Sequence, residues 1–342
     1  MPQSQFLLMK DRRFLPLFVT QFLGAFHDNL FKNAMIILVV YQLASQLGLD
    51  AKTQALMSTA AAATLVFPFF IFSATAGQLA DSFPKHKVIR VVKLVELGIA
   101  ALGITALVSE SIPLMYVTIF ALGTHSAFFS PCKYSILPEH LKNNELIGGN
   151  ALLNTGTFLA ILLGTIFGIS LMSLSFGTIA ISSLIAVVAL GGYVASLYIP
   201  AGAAALEPTP FNPNPVSETR SVLKYTFSQH RDVVLSLLGK GWFFCVGSMF
   251  LSQFPNYVKI SLQAQESILT LFTVLFSIGI GIGGLFNNKL LHGKVAATYV
   301  PLAALGLTAF SLDLYMATSY VVHNADQTLM SLGQFVSHLA HW

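Results

Sequence analysis

Three polar side chains, Asp28, Asn29 and Lys32, interrupt the first long apolar stretch of the sequence. If that stretch is helical, Asp28 lies about 21 Å along it, past the middle of a roughly 30 Å hydrocarbon core, and Lys32 follows one turn later on the same face. A charge at that depth costs about 2.5 to 3.5 kcal/mol, so each needs a physical reason. Asp28 could bind an ammonium group or a coupling cation (H+ or Na+), and Lys32 a phosphate. Alternatively, the two form an internal ion pair that only lowers the insertion cost, with Lys32 reaching outward to the interface.

Further polar residues lie in or beside apolar stretches. Lys133 follows Pro131 at head-group depth, where contact with a phosphate and simple anchoring at the interface are both open. Asn150 and Asn154 are further candidates for a substrate or ion pathway, although hydrogen bonds between helices are favoured over contact with a ligand. Lys240 lies in the stretch that would be the repeat counterpart of the first one, so it could face Asp28 across a cavity; alternatively, it is a lysine that reaches the nearby interface.

Other ionisable residues are given structural interpretations. Lys93 and Glu96, three residues apart, are expected to form an ion pair within one helix near the interface. His125 is expected to be satisfied by a helix contact rather than to relay protons. The sequence contains no Ser/His/Asp or Cys/His arrangement in aqueous surroundings and no metal-type His/Cys spacing, so we expect no catalytic residue, metal or cofactor. The glycines of 279–284 lack a preceding strand and are expected to serve helix packing.

Membrane-spanning helices must position these residues. Only 9% of the 342 residues are Asp, Glu, Lys or Arg and 55% are hydrophobic, whereas soluble domains carry about a quarter charged residues. The apolar stretches are continuous and about 20 residues long, as spanning helices require, whereas barrels alternate over about ten residues. The sequence therefore predicts an all-α integral membrane protein, a helical bundle. Its net charge of +4, spread over short loops, argues against a nucleic-acid partner.

Nine spans are predicted, and lysines and arginines alternate between their loops. The spans are 14–43, 55–76, 88–108, 112–131, 147–171, 177–199, 233–258, 267–288 and 296–320. The N-terminal tail and every second loop are basic, while the opposite loops offer only Lys52 and Lys259. By the positive-inside rule the N-terminus is cytoplasmic.

A proline-rich segment divides the chain into unequal parts. We predict a six-helix half at 1–199, a cytoplasmic linker with a surface helix at 200–232, three helices of a second half at 233–320, and an outer interfacial tail at 321–342. The loop after the second span carries Gly77, Asp81, Lys85, Lys87 and Arg90, and a weaker copy from Gly283 to Lys294 follows six spans later. Such a copy is typical of duplicated transporter halves.

The chemistry of the first of these loops is open to two interpretations. Gly77 allows two helices to approach closely, Asp81 can cap the next helix or pair with a basic residue, and the three basic residues lie at the lipid head groups. The alternative is a simple basic loop with a tight turn.

The G-x-L-A-D-x-x-x-K-x-K-x-x-R pattern of this loop resembles the signature loop of the major facilitator superfamily, whose members have two six-helix halves. Residues 21–33 and 130–137 look like its bacterial lysophospholipid transporter branch, which also occurs as a module fused to a phospholipid acyltransferase and acyl-carrier-protein synthetase. The resemblance implies flipping of lysophospholipid, mainly lysophosphatidylethanolamine, across the bacterial inner membrane among membrane lipids, for re-acylation by an acyltransferase partner.

Two residues and the length depart from this family pattern. His27 stands where relatives often have Asn or Gly, and Asn154 stands where Glu is expected. Since the family has twelve spans, we expect the chain to be a piece of a longer protein. Two other functions remain open: a facilitator for another small solute, and a non-transporting membrane module of an acyltransferase system.

Overall fold

The computed structural model describes residues 5–143, 145–202, 212, 214–290, 299–323 and 331–339. Within these ranges all regular elements are helices, and there are no strands. Nine of the helices are long. They are α1 Leu15–Ile37, α2 Ala51–Ser82, α3 Lys85–Val108, α4 Ile112–Ser135, α5 Leu146–Met172, α6 Gly177–Leu197, α7 Arg231–Asn256, α8 Glu266–Leu290 and α9 Val300–His323.

Shorter helical elements flank or extend the long ones. Two of them are π-helical turns that continue α1 over Leu38–Leu43 and α7 over Tyr257–Ser261. The others are Gln5–Lys10, Ala44–Gln46, Leu137–His140, Pro215–Phe227 and Leu332–Leu339.

The all-α multi-pass membrane architecture is confirmed. Seven of the described helices are long and apolar enough to cross a membrane: α1 to α6 and α7 with its π-helical extension. α8 and α9 contribute shorter described apolar stretches, 266–276 and 300–316. The count of nine spans therefore stays a prediction.

Local sequence signals explain where several helices begin. Pro16 occupies the first turn of α1, where its missing N–H leaves no bond unmade. Asp50 caps α2 by accepting a hydrogen bond from the backbone N–H of Thr53 at 3.0 Å. Pro84, which cannot continue α2, precedes α3 and leaves only a two-residue turn between these helices. Such short turns place sequential helices side by side and antiparallel.

α1 is the central helix of the first six and packs against α4, α5 and α6. Its approach to α5 is close enough to require glycine: a Cβ on Gly164 would lie 2.5 Å from the carbonyl oxygen of Phe26, and one on Gly168 2.7 Å from that of Leu30. Polar groups on the buried faces of α1 are thereby held at fixed positions relative to its neighbours.

Two apolar clusters fill the bundle. One surrounds Phe14 and Leu17, and we call this end, where α1 begins, the basic end because Arg13, Lys85 and Arg90 lie there. The other runs from Phe26 to the opposite end and includes Phe254 and Ile268 of the later helices. At that opposite end Gln253 donates to the hydroxyl of Thr59 at 2.9 Å, and Lys259 donates to the carbonyl oxygen of Val40.

The linker and tail predictions fall partly outside the described residues. The expected surface helix is present as Pro215–Phe227, capped by Asn214 and packed against α2. In the tail, Phe335 is buried with its ring 6.1 Å from that of Phe272 on α8. Residues 203–211, 213, 291–298, 324–330 and 340–342 lie outside the description, including Lys294 of the second loop copy. The domain boundaries stay a prediction.

Candidate functional site

Asp28 and Ser126 form a polar contact between α1 and α4. The Ser126 hydroxyl donates to Asp28 Oδ2 at 2.5 Å. Asp28 is only 8% exposed, and its other carboxylate oxygen, Oδ1, is buried without a hydrogen-bond partner. An unpaired oxygen of a buried carboxylate is a strong acceptor with an unmet demand for a donor or a cation. We call this pair the Asp28 layer.

Lys32 and Lys133 lie near this carboxylate without touching it. Lys32 Nζ donates to Asn29 Oδ1 at 3.2 Å, so the direct Asp28–Lys32 ion pair considered from the sequence is not formed. Asp28 nevertheless acts electrostatically on both lysines. Lys133 Nζ lies 5.0 Å from the centre of the Tyr134 ring. A carboxylate near two lysines that form no ion pair with any described residue could bind a zwitterionic ligand.

A second, fully buried cluster lies beside it, between α1, α3 and α4. Glu96 Oε2 is 2.5 Å from Lys93 Nζ and 3.5 Å from His125 Nε2, and Glu96 Oε1 is 2.9 Å from His27 Nδ1. None of the four side chains is more than 5% exposed. We call these residues, His27, Lys93, Glu96 and His125, the Glu96 layer.

Consecutive residues of the sequence contribute to the two layers. His27 precedes Asp28 on α1, and His125 precedes Ser126 on α4. Each helix therefore contributes consecutive residues to the two contacts. A rotation or a shift of α1 against α4 must change both layers together.

The Glu96 layer tests two predictions. The Lys93–Glu96 ion pair within α3 is confirmed, and it is buried between helices, where Gly24 and Gly192 leave room for the lysine. Its depth relative to the membrane interface stays a prediction. A Cβ on Gly24 would lie 2.6 Å from Lys93 Nζ. His125 stacks on Phe129 with ring centres 6.4 Å apart, but neither of its ring nitrogens has a hydrogen-bond partner. The expectation of a satisfied histidine was wrong.

The two asparagines of α5 behave differently. Asn154 Oδ1 accepts from the hydroxyl of Tyr134 on α4 at 2.9 Å, which confirms the predicted contact between helices. Asn150 instead donates to the carbonyl oxygen of Leu146, one turn back on its own helix, at 3.0 Å. The prediction of a bond between helices was wrong for Asn150, because the nearest acceptor is its own helix backbone.

Lys240 is exposed on α7 and makes no hydrogen bond or ion pair with any described residue. The described chain therefore contains no direct contact between Lys240 and Asp28. An open apolar concavity beside Lys240 is lined by α7 alone, including Leu235, Leu238 and Trp242. The prediction that Lys240 faces Asp28 across a cavity stays a prediction.

The loop from Gly77 to Arg90 is mostly helical. Gly77 and Asp81 belong to α2, and Asp81 does not cap α3, because Pro84 occupies the cap position and offers no side-chain bond. Lys85 forms an ion pair with Glu139 at 2.7 Å. Arg90 donates to the carbonyl oxygens that end α6, those of Leu197 at 3.0 Å and Ile199 at 3.1 Å. Lys87 is exposed. The motif thus joins α3 to the short helix Leu137–His140 and to the end of α6 at the basic end.

A second set of contacts fixes the N-terminal segment at the basic end. Arg13 donates to the carbonyl oxygen of His140 at 3.0 Å and lies 2.5 Å from Asp11 and 3.4 Å from Glu145. The hydrogen bond from the Lys142 backbone, together with Arg13, lowers the pKa of Glu145, and Arg13 lowers that of Asp11. Both acids are therefore ionised at neutral pH.

Several polar residues of these contacts were missed from the sequence. Ser126 is one, and His27 was noted only as a departure from the family pattern. Buried amide contacts were missed as well: Thr157 donates to Gln21 Oε1 at 2.8 Å, and Asn33 to Thr165 Oγ1 at 3.1 Å, each joining α1 to α5. The available signal was the recurrence of polar residues in α1 from Gln21 to Asn33.

One known protein family and several known proteins are similar to this chain over most of its length. The family described as Major Facilitator Superfamily matches residues 17–337. The lysophospholipid transporter LplT of Escherichia coli O1:K1 / APEC is 28% identical over 311 residues, which cover 89% of this chain and 73% of the relative. The LplT of Serratia proteamaculans (strain 568) is 28% identical over 277 residues, 80% of this chain and 65% of the relative.

Proposed function

Because the chain belongs to the major facilitator superfamily, we propose that it moves lysophospholipid between the two leaflets of a membrane by alternating access. The relatives named lysophospholipid transporter support this substrate class. We further propose that the substrate has a zwitterionic head group like that of lysophosphatidylethanolamine. The acyl chain of such a substrate suits the apolar helices, and only its head group needs polar partners.

The observation that carries the proposal is the unpaired, buried Oδ1 of Asp28. An ammonium group would satisfy it with a charge-assisted hydrogen bond. Lys32 and Lys133, which Asp28 influences electrostatically, supply positive charge for the phosphate of the same head group. Asn29, Asn150 and Asn154 offer further amide groups along this path, and Lys240 is assigned to the facing half.

The proposal includes an orientation and two partners. The basic end is cytoplasmic by the positive-inside rule, so the N-terminus lies in the cytoplasm of a bacterium and the helices lie in its inner membrane. The six-helix unit 1–199 rocks against the helices of 233–320, and the contacts of Lys85 and Arg90 keep the first unit rigid. A coupling cation and an acyltransferase that consumes the imported lipid complete the system. The polypeptide itself performs transport rather than catalysis.

Uptake by proteoliposomes tests the head-group assignment. Wild-type protein should import lysophosphatidylethanolamine, and Asp28→Asn should reduce uptake at least about tenfold, because a hydrogen bond to a charged group contributes about 1.5 to 3 kcal/mol. Uptake of a lysophospholipid without an ammonium group should fall much less. Asp232→Asn, an exposed acid at the start of α7, serves as the matched control and should leave uptake unchanged.

Two outcomes would contradict the proposal. Equal loss for both lipids would remove the ammonium-binding role of Asp28. A wild-type protein that moves a water-soluble solute and neither lipid would instead support a general facilitator.

A further inference from the structure

The net charge of the Glu96 layer is set by its histidines. Glu96 and Lys93 form an ion pair at 2.5 Å, so their charges cancel. His27 and His125 approach the same carboxylate from two other helices, at 2.9 and 3.5 Å. All four side chains are buried, and a net charge in such surroundings is costly unless it is paired. The protonation of one histidine therefore changes the electrostatic state of the whole layer.

The two histidines are not equivalent. A carboxylate only accepts, so the bond between His27 and Glu96 places a proton on His27 Nδ1. His125 has no hydrogen bond at either ring nitrogen, although both are buried. Its Nε2 lies 3.5 Å from Glu96 Oε2. A neutral histidine carries one N–H and a protonated one carries two, so protonated His125 would present an N–H at Nε2 to a charged partner at short range.

Few other charges face this position. Glu96, Lys93 and His27 act on His125 electrostatically. The charged residues of α2 are Lys52 and Asp81, which lie at the two ends of that helix. The remaining charged groups on helices packed against this part of α4 are Asp28 and Lys32 on α1, Lys133 on α4 itself, and Lys85, Lys87 and Arg90 at the start of α3.

We propose that the Glu96 layer is a proton-binding site, with His125 as the proton acceptor, and that it is linked to head-group binding at Asp28. The link follows from the chain: His27 and His125 precede the two residues of the Asp28–Ser126 bond. A proton that draws His125 toward Glu96 pulls on the turn of α4 that carries Ser126, the hydrogen-bond donor to Asp28. This second part rests on the proposed function, whereas the proton site does not.

The sign of the link follows from charge. A proton on His125 adds a positive charge close to the carboxylate that would hold an ammonium group, so proton and head group disfavour each other. Because such coupling is reciprocal, lysophospholipid binding should release a proton. Two like charges about 10 Å apart at an effective dielectric constant of 20 give roughly tenfold weaker binding when the site is protonated.

Histidine NMR of the protein without lipid tests the proton site. Nine histidines are present, and ring-nitrogen signals of wild-type protein should include one that titrates between about pH 4 and 8 and is absent from His125→Gln. His230→Gln, which removes an exposed histidine, is the control and should leave that signal in place. His125→Asn replaces the Gln variant if the latter does not fold. A His125 signal that stays constant over this range would overturn the proposal.

Binding of lysophosphatidylethanolamine in detergent then tests the link. Wild-type affinity should weaken about tenfold as pH falls through that titration, and His125→Gln should show little pH dependence. An unchanged pH dependence in His125→Gln would overturn the link. If His125 titrates but wild-type protein binds no lysophospholipid at any pH, the proton site stands, and the link and the proposed function both fail.

Discussion

Asp28 and Glu96 are both buried carboxylates at the contacts of α1, and their surroundings differ. Glu96 has a lysine and two histidines around it, and both its oxygens are engaged. Asp28 has one hydroxyl, from Ser126, and a buried oxygen with no partner. A carboxylate contacted by a lysine and two histidines on three helices holds those helices together. A carboxylate left incomplete at a fixed position is suited to a partner that comes and goes.

The two layers are adjacent, but one contributes mainly to stability and the other to binding. The Glu96 layer contributes to stability because its charges are paired inside the bundle. Asp28 contributes little, because burial of an unpaired carboxylate oxygen is unfavourable. Substitutions in the Glu96 layer should therefore lower the stability of the protein. Substitution of Asp28 should instead weaken binding and leave stability unchanged.

The largest expected effect tests this difference directly. Glu96→Gln should lower the free energy of unfolding by about 3 to 5 kcal/mol, because it leaves Lys93 charged and buried without its partner. Asp28→Asn should leave it unchanged or raise it. Thermal unfolding can be followed by the reaction of a thiol dye with Cys132, which is buried, in a Cys245→Ser background that removes the exposed cysteine.

A charge-neutral double variant is the control for the ion pair. Lys93→Met combined with Glu96→Gln should lose less stability than Glu96→Gln alone, because no uncompensated charge remains. Equal losses would mean that the carboxylate matters for reasons other than its charge. A larger loss for Asp28→Asn than for Glu96→Gln would reverse the comparison.

The helices of the first half were predictable from the sequence, but the Glu96 layer was not. The predicted span 14–43 corresponds to helix Leu15–Leu43 and 112–131 lies within Ile112–His140, because apolar length and prolines fix where helices run. Burial within a bundle depends on neighbouring helices. Lys93 lies about 12 Å from the start of α3, which predicted a pair near the interface but could not reveal that glycines on α1 and α6 enclose the lysine.

The partners of Asp28 were predictable only in part. Its position in a mid-membrane polar stretch identified the residue, and the spacing to Lys32 suggested a partner on the same helix. The actual partner, Ser126, carries no charge and barely alters the hydropathy of α4. A hydroxyl of this kind is recognisable only when the register between two helices is known, and a single sequence does not determine that register.

A smaller effect tests how tightly the Glu96 layer is packed. Gly24→Ala would place a methyl group 2.6 Å from Lys93 Nζ. The lysine must move away from Glu96, so we expect a loss of about 1 to 3 kcal/mol, as for overpacked cores. Gly98→Ala on α3, where nothing lies within 4 Å, is the control and should be neutral or slightly stabilising. The same thermal assay measures both variants, and equal midpoints would show that Lys93 is not confined.

The smallest effect concerns the one hydrogen bond of the Asp28 layer. Ser126→Ala should cost about 1 kcal/mol, because the bond is lost while Asp28, already incomplete, has no further protein partner to lose. Ser183→Ala is a matched control, since that hydroxyl is exposed and donates only to its own helix. A loss as large as that of Glu96→Gln would show that Asp28 also holds α1 to α4. The unpaired oxygen would then indicate strain in a structural contact rather than an acceptor for a head group.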